Sequence, residues 1–156
     1  MTAVPDLYPL GALDLGRAAA LHGEAFGPQG ERVWTRQDMA GLFASPGVAG
    51  LLLQLDGADI GMAVFRVAAD ESELLTIAVR PAYRRGGAGR RLLEAVIDRA
   101  RSAGAGVLFL EVGVDNPAAR ALYESAGFSA AGRRRAYLRR GEGPPADAVV
   151  MRLALG

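Results

Sequence analysis

Between Leu74 and Ala100 the sequence passes from an apolar, strand-like run (LLTIAV) through a glycine-rich turn (RRGGAG) into a stripe of helical spacing: Leu92, Leu93, Val96, Ile97 and Ala100. A strand, a tight turn and an amphipathic helix in immediate succession commit the chain to packing a helix on a sheet. They also aim the helix N-terminus, with its partial positive charge and unpaired N–H groups, at the turn. Arg80, Arg84, Arg85, Arg90 and Arg91 crowd the same end. Arginines massed where the backbone already favours an anion make sense as counter-charges to a polyanion, and the glycines leave room for a phosphate to approach the backbone. The ordinary alternative is a solvated helix start, with Glu94 at i+4 from Arg90 offsetting part of the charge. A dinucleotide fingerprint fails, because Gly87-Ala88-Gly89 is followed by Arg90-Arg91-Leu92 with no third glycine.

The rest of the chain supplies the partners. Leu13 to Phe26 reads as a helix with Leu13, Ala20, Leu21 and Ala25 on its apolar face. After the loop GPQGERV, Thr35 and Asp38 form a capping-box pattern, and Trp34 is placed to staple onto Met39. Strand-like runs at Val48 to Leu55 and Ile60 to Ala68 flank DGAD, a hairpin signal. The apolar run Val107 to Leu110 continues through Glu111 to Val114, and Asn116 and Pro117 then start a helix that Gly127 ends. Two late strands, about Gly132 to Leu138 and Ala148 to Leu153, surround the loop RRGEGPPAD. Helix, helix, three strands, helix, strand, helix and strands imply a mixed sheet covered by helices, an α/β or α+β single domain over residues 1–156. With 156 residues, 51% of them apolar, the chain is long enough to bury a core.

Absences narrow the chemistry. There is no cysteine, which excludes thiolate nucleophiles and sulfur-ligated metals, and His22 is the only histidine, which excludes a multi-histidine metal site. No metal is expected. Every basic side chain is arginine, so there is no lysine for a Schiff base or a P-loop. The net charge of +1 is too near zero to argue for non-specific nucleic-acid binding from composition alone. No apolar run reaches membrane-spanning length and no signal pattern opens the chain, so a cytoplasmic protein with no membrane partner is expected.

Two residues stand out for catalysis. Glu111 shares a strand face with Val107, Phe109 and Gly113 in a segment otherwise apolar on both sides. Either it lies at an exposed strand end or pairs with an arginine, or it is a general base whose pKa partial burial raises. Tyr123 falls on the inward stripe Ala119, Leu122, Tyr123 and Ala126, the position of an ordinary core aromatic, yet a buried phenol needs a hydrogen-bond partner.

LLTIAVRPAYRRGGAGRRLL resembles the acetyl-CoA signature of the GCN5-related N-acetyltransferases (GNAT), whose pattern (R/Q)-x-x-G-x-(G/A) is matched by Arg84-Arg85-Gly86-Gly87-Ala88-Gly89. LFLEVGVDNPAARALYESAGF further resembles one branch of that family, the bacterial ribosomal-protein-alanine N-acetyltransferases. The likeness runs from about Glu71 to Arg152, and more loosely to the Trp34 segment. It implies a mostly antiparallel mixed sheet, splayed between two central parallel strands, with helices on both faces. It implies acetyl-CoA as cosubstrate, held by Ile77, Ala78 and Val79 along the pantetheine arm, by Arg84, Arg85, Gly86, Gly87, Ala88, Gly89 and Arg90 at the pyrophosphate, and by Asn116, which as a residue before proline is equally a helix cap. It implies Glu111 as general base and Tyr123 as the acid that protonates the departing thiolate, in direct transfer without an acyl-enzyme.

The acceptor implied is a protein or peptide N-terminus, an alanine of a small-subunit ribosomal protein. Trp34, Glu71 and Tyr137 are the candidate acceptor-binding residues, although Glu71 reads equally as a surface carboxylate. Two departures from the branch bear on this. The loop before Trp34 is longer, and the pattern RR-x-Y-Y becomes Arg134-Arg135-Ala136-Tyr137-Leu138. Acetylation of a small amine or a lysine, a regulatory acetyl-CoA-binding module and a nucleic-acid-binding role for GRRRAYLRR are the competing readings; the last conflicts with alternating arginines being a solvated strand face.

Overall fold

The computed structural model describes residues 4–29, 33–138 and 146–156; most of the RRGEGPPAD loop and the centre of GPQGERV lie outside them. Along the chain run β1 (Asp6–Pro9), α1 (Leu15–Phe26), α2 (Arg36–Phe43), β2 (Val48–Leu55), β3 (Ala58–Ala68) and β4 (Glu71–Val79). They are followed by α3 (Ala88–Ser102), β5 (Val107–Gly113), α4 (Pro117–Ser125), β6 (Ser129–Leu138) and β7 (Ala146–Ala154). The strands form one sheet in the order β1-β2-β3-β4-β5-β7-β6, antiparallel throughout except for β4 beside β5.

Local signals account for most of these elements. Asp56 and Gly57, at φ 50° and 81°, close the β2–β3 hairpin as a two-residue turn of the primed kind that suits strand twist. The Thr35 N–H donates to Asp38 Oδ2 at 3.0 Å and the Asp38 N–H to Thr35 Oγ1 at 3.1 Å, completing the capping box of α2. All five residues of the expected α3 stripe are buried, and Leu92 and Leu93, fully so, contribute about 1.5–3 kcal/mol each.

Two expectations are corrected. The chain opens with a strand, β1, four residues with a terminal proline at the edge of the sheet, too short and too exposed to leave an alternating pattern. The apolar face of α1 is Leu15, Ala18, Leu21 and Ala25 with His22; Leu13 is 99% exposed and Ala20 is exposed too. A short 3₁₀ turn at Ala12–Asp14 precedes α1, and its tighter winding breaks the 3.6-residue phase that would have carried Leu13 inward.

The sheet separates two cores. One joins α3 and Tyr123 of α4 to Leu74, Leu108 and Leu110; the other joins α1 and Met39 of α2 to Leu52, Met62, Val64 and Ala78. Leu74 and Ala78, four residues apart in β4, would share a face in a regular strand. They face opposite cores because the β3–β4 register passes from Phe65↔Leu74 to Val64↔Thr76, leaving Leu75 as a bulge.

Beside that bulge the two parallel strands separate. Only Glu71, Ser72 and Glu73 of β4 pair with β5, opposite Val107, Leu108 and Phe109. The closed end is fastened by the buried Ser72 hydroxyl, which donates to Val107 O at 2.8 Å, and by the Gly106 N–H, which donates to Asp70 O at 2.8 Å. Beyond it, each strand keeps its outer partner, β3 or β7, and presents an unpaired inner edge to the gap.

Candidate active site

The turn after β4 lies at the open end of this gap. Gly87 caps α3 in the left-handed region (φ 85°, ψ 5°), with no side chain bonded to the helix N-terminus, and Arg85 shares that unusual region at φ 67°. From Arg85 to Arg90 no backbone N–H finds an acceptor among the described residues; the ladder of α3 starts with the Arg91 N–H on Gly87 O at 2.9 Å. A Cβ built on Gly87 would meet nothing within 4 Å. A row of open amides at a helix N-terminus, facing free space, is a cradle for an anion.

The arginines divide in a way composition did not show. Arg80 binds Glu24 and donates to Asp59 O at 2.6 Å. Arg84 donates to Ala25 O at 3.0 Å and Val79 O at 3.3 Å, tying the turn to α1 and β4. Arg90 pairs with Glu94 at 2.8 Å, as the ordinary alternative held, and donates to Ser125 Oγ at 2.9 Å. Arg85 and Arg91 are exposed and keep their charge unpaired among the described residues. Most of the cluster therefore braces the turn, and the backbone amides with Arg85 and Arg91 are the groups left open there.

Ile77, Ala78 and Val79 pair with β3 through Ala63, Met62 and Gly61, so their inner edge opens into the gap. Gly89 sits close to Leu122 of α4, at 3.4 Å from where a Cβ would be, which holds the turn against that helix. Asn116 Oδ1 accepts the Ala119 N–H at 3.2 Å and so caps α4, leaving its amide NH₂ outside the cap. Tyr123 is 6% exposed in the α3 core. Its backbone carbonyl accepts the Phe128 N–H at 3.0 Å while Gly127 (φ 103°) donates to Glu124 O at 3.0 Å, a Schellman ending, and the two rings meet edge-on at 6.0 Å.

Near the closed end, on the α1/α2 side of the sheet, lies an open cleft of about 280 Å³ lined by Glu71 and Glu73 of β4, Phe109 and Glu111 of β5, Arg66 of β3, and Arg134 of β6. Glu73 pairs with Arg66 at 2.9 Å and Glu111 Oε1 with Arg134 Nη1 at 3.2 Å. Glu71 has no cationic partner among the described residues. The Glu111 side chain is 21% exposed, and burial pushes its pKa above the ordinary carboxylate range, with Arg134 pulling it down and Glu73 adding to the rise. Glu111 thus pairs with an arginine, one of the ordinary alternatives, and is at the same time a half-buried carboxylate in a cleft.

The cleft brings Glu71 and Glu111 together; Tyr123, Asn116 and Trp34 do not line it. Trp34 packs instead on the α1/α2 core, stacked on His22 at 5.0 Å with its backbone N–H donating to His22 Nδ1 at 3.2 Å. Tyr137 falls in β6, with its side chain outside the described residues. Glu73, Arg66 and the Arg134 contact were missed by the sequence reading. The signal for Arg66 and Glu73 was the two-residue turn Ala69-Asp70, which sets one opposite the other, but an alanine at φ 55° is a poor advertisement for a hairpin.

A carboxylate cleft and a row of open amides at two ends of one split sheet, with no cysteine to carry an acyl group, suit group transfer from an anionic carrier straight to an incoming nucleophile. Comparison with known proteins says which kind. The chain belongs to the acetyltransferase (GNAT) family, whose profile matches residues 18–128. It is similar to the [ribosomal protein bS18]-alanine N-acetyltransferase of Escherichia coli, 44% identical over 103 residues that cover 66% of this chain and 69% of the relative. It is also similar to the N-alpha-acetyltransferase RimI of Mycobacterium tuberculosis, 39% identical over 146 residues and 89% of each chain. The crystal structure of the E. coli ribosomal-protein-S18-alanine N-acetyltransferase superposes with a TM-score of 0.88 at 33% identity, covering 98% of this chain and 95% of that one. The same fold recurs in yncA of Salmonella typhimurium, a putative acetyltransferase solved with its cofactor acetyl-CoA (TM-score 0.81, 22% identity, 97% and 94% covered). No helix among the described residues is long and apolar enough to cross a membrane.

Proposed function

We propose that this enzyme transfers acetyl from acetyl-CoA to the α-amine of a protein N-terminus, and that its acceptor is the N-terminal alanine of a small-subunit ribosomal protein. The observation that carries the reading is Glu111, a half-buried carboxylate of raised pKa in a cleft at the closed end of the β4–β5 gap. The open amides of residues 85–90 fit the diphosphate of acetyl-CoA, and the unpaired inner edge of Ile77, Ala78 and Val79 fits its extended amide-bearing arm. Bound there, acetyl-CoA supplies an acetyl group activated as a thioester. The Asn116 amide NH₂, outside the cap, would donate to the same ligand, and Arg85 adds positive charge beside the diphosphate.

The chain's own residues do the rest. Glu71, uncompensated, attracts the acceptor's ammonium into the cleft. Glu111 takes the proton that the amine must lose to become a nucleophile. An α-ammonium titrates near 7.7–8.0 and a lysine side chain near 10.4, so removing that proton costs roughly three kcal/mol less at an N-terminus. A carboxylate base therefore suits an N-terminus better than a lysine. The Tyr123 hydroxyl donates the proton that the departing sulfur needs. Trp34, held on His22, and Tyr137 are proposed as walls of the acceptor groove.

The relatives' acceptor supports the choice: the E. coli enzyme is named for the alanine of bS18. The charge balance of the cleft supports a peptide terminus over a polyamine, because two of its three carboxylates already carry a guanidinium. The test is mass spectrometry of a peptide panel with Ala, Ser or Met at a free N-terminus and an internal lysine. The free alanine terminus is expected to be acetylated fastest; equal turnover of N-terminally blocked lysine peptides would overturn the assignment.

A further inference from the structure

Arg134 has a place in the cleft that neither a solvated strand face nor the family signature explains. β6 is the outer strand of the sheet, and the Arg134 side chain, 54% exposed, reaches past β7 to Glu111 on β5. Its Nη1 stands 3.2 Å from one carboxylate oxygen of Glu111, Oε1. Other charged groups share this face of the sheet. Glu73 of β4 is held by Arg66 of β3, Glu71 of β4 is exposed at the strand start, and Arg152 of β7, paired in register with Phe109, is exposed on the same face. A cation in contact with the carboxylate, on a long and largely solvated side chain, is held tightly enough to orient its partner and loosely enough to be exchanged.

We propose that Arg134 is a positioning residue that occupies the acceptor ammonium's place beside Glu111, keeping the carboxylate ionised and turned into the cleft until the ammonium displaces it. This rests on the reading of Glu111 as the base. It makes the resting site a closed ion pair and the acceptor a competitor for it, so binding exchanges one cation for another without leaving the half-buried carboxylate alone.

The exchange has a kinetic mark. The pH dependence of kcat/KM reports groups in the free enzyme and that of kcat reports groups in the complex. Removing Arg134 removes a positive neighbour, so the Glu111 pKa rises and the acidic limb of kcat/KM moves to higher pH. An exposed pair of 0.2–1 kcal/mol converts to a shift of up to about 0.7 unit. If the arginine has left by the time the complex forms, the acidic limb of kcat stays where it was.

The experiment compares wild type, Arg134→Gln and Arg134→Lys between pH 5 and 9, with saturating acetyl-CoA and an alanine-terminal peptide; the peptide's own ionisation is common to all three. The expected result is a kcat/KM limb raised by about half a unit in Arg134→Gln, restored by Arg134→Lys, with the kcat limb unmoved. A fall in both parameters with both limbs in place would reduce Arg134 to a structural contact and overturn the inference. Arg134→Met takes the place of Arg134→Gln if circular dichroism shows the glutamine variant unfolded. Glu111→Gln separates the two levels: full activity in that variant removes the base itself, whereas loss of activity there with an unmoved limb in Arg134→Gln removes only the role of the arginine.

Discussion

Gly57 and Gly87 form a matched pair that separates the structural role of the anion turn from its binding role. They lie at φ 81° and 85°, and a Cβ added to either meets nothing within 4 Å. Replacing each by alanine therefore introduces no clash, only the penalty for holding an L-residue in the left-handed region, about 1–2 kcal/mol. For a chain of this length 1 kcal/mol corresponds to a melting shift of about 2–4 °C, so both variants are expected to melt about 3–6 °C below wild type. Gly57 caps the β2–β3 hairpin, whereas Gly87 stands among the open amides of residues 85–90. At Gly87 the new methyl group enters the space assigned to the diphosphate. Disturbing one charge-assisted hydrogen bond there, worth about 1.5–3 kcal/mol, weakens acetyl-CoA binding about ten- to a hundredfold. Calorimetric titration with acetyl-CoA and thermal melting of the two proteins side by side make the measurement. Equal affinity in Gly57→Ala and Gly87→Ala, at equal loss of stability, would refute the assignment of the turn to the nucleotide.

Glu111→Gln and Tyr123→Phe are each expected to lower turnover by roughly ten- to ten-thousand-fold while leaving acetyl-CoA affinity near wild type, since the proposal gives both a proton to move and neither a hold on the nucleotide; steady-state kinetics beside calorimetry checks both halves. Ser72→Ala removes the buried hydroxyl that fastens the closed end of the gap and strips Val107 O of that bond, at about 1–3 kcal/mol in chemical denaturation. His22 gives a pH signature. Burial lowers its pKa to about 4 from 6.5, so the unfolded chain binds the proton first as pH falls. Its contribution is complete above pH 6.5 and is lost progressively towards pH 4, up to about 3 kcal/mol. Urea midpoints between pH 7 and 5 are expected to fall in wild type and to stay flatter in His22→Gln.

The fold was legible where one local rule fixed one element. The Asp56-Gly57 turn, the Thr35–Asp38 box, the Asn116-Pro117 start and the Gly127 ending each occur as read, because each depends on residues within five positions of one another. Leu13 was misplaced because its orientation depends on where a 3₁₀ turn yields to α1, a boundary that apolar spacing does not mark. Site residues were legible as types and less so as contacts. Glu111 is conspicuous as a carboxylate in an apolar strand, but its pairing with Arg134 requires the order β5-β7-β6, which no local pattern encodes. The arginine cluster shows the reverse case. Sequence read it as one positive patch, whereas Arg80 and Arg84 reach back to Glu24 and Ala25 of α1, and only tertiary packing decides which charges remain for a ligand.

The account depends most on a nucleotide diphosphate closing the row of open amides at the start of α3. Amide hydrogen exchange followed residue by residue, with and without acetyl-CoA, observes those groups themselves. Residues 85–90, unpaired in the protein alone, are expected to exchange fast and to slow markedly on addition of acetyl-CoA, together with the inner edge of β4. Unchanged exchange at 85–90 under saturating acetyl-CoA, or protection confined to other parts of the chain, would contradict it.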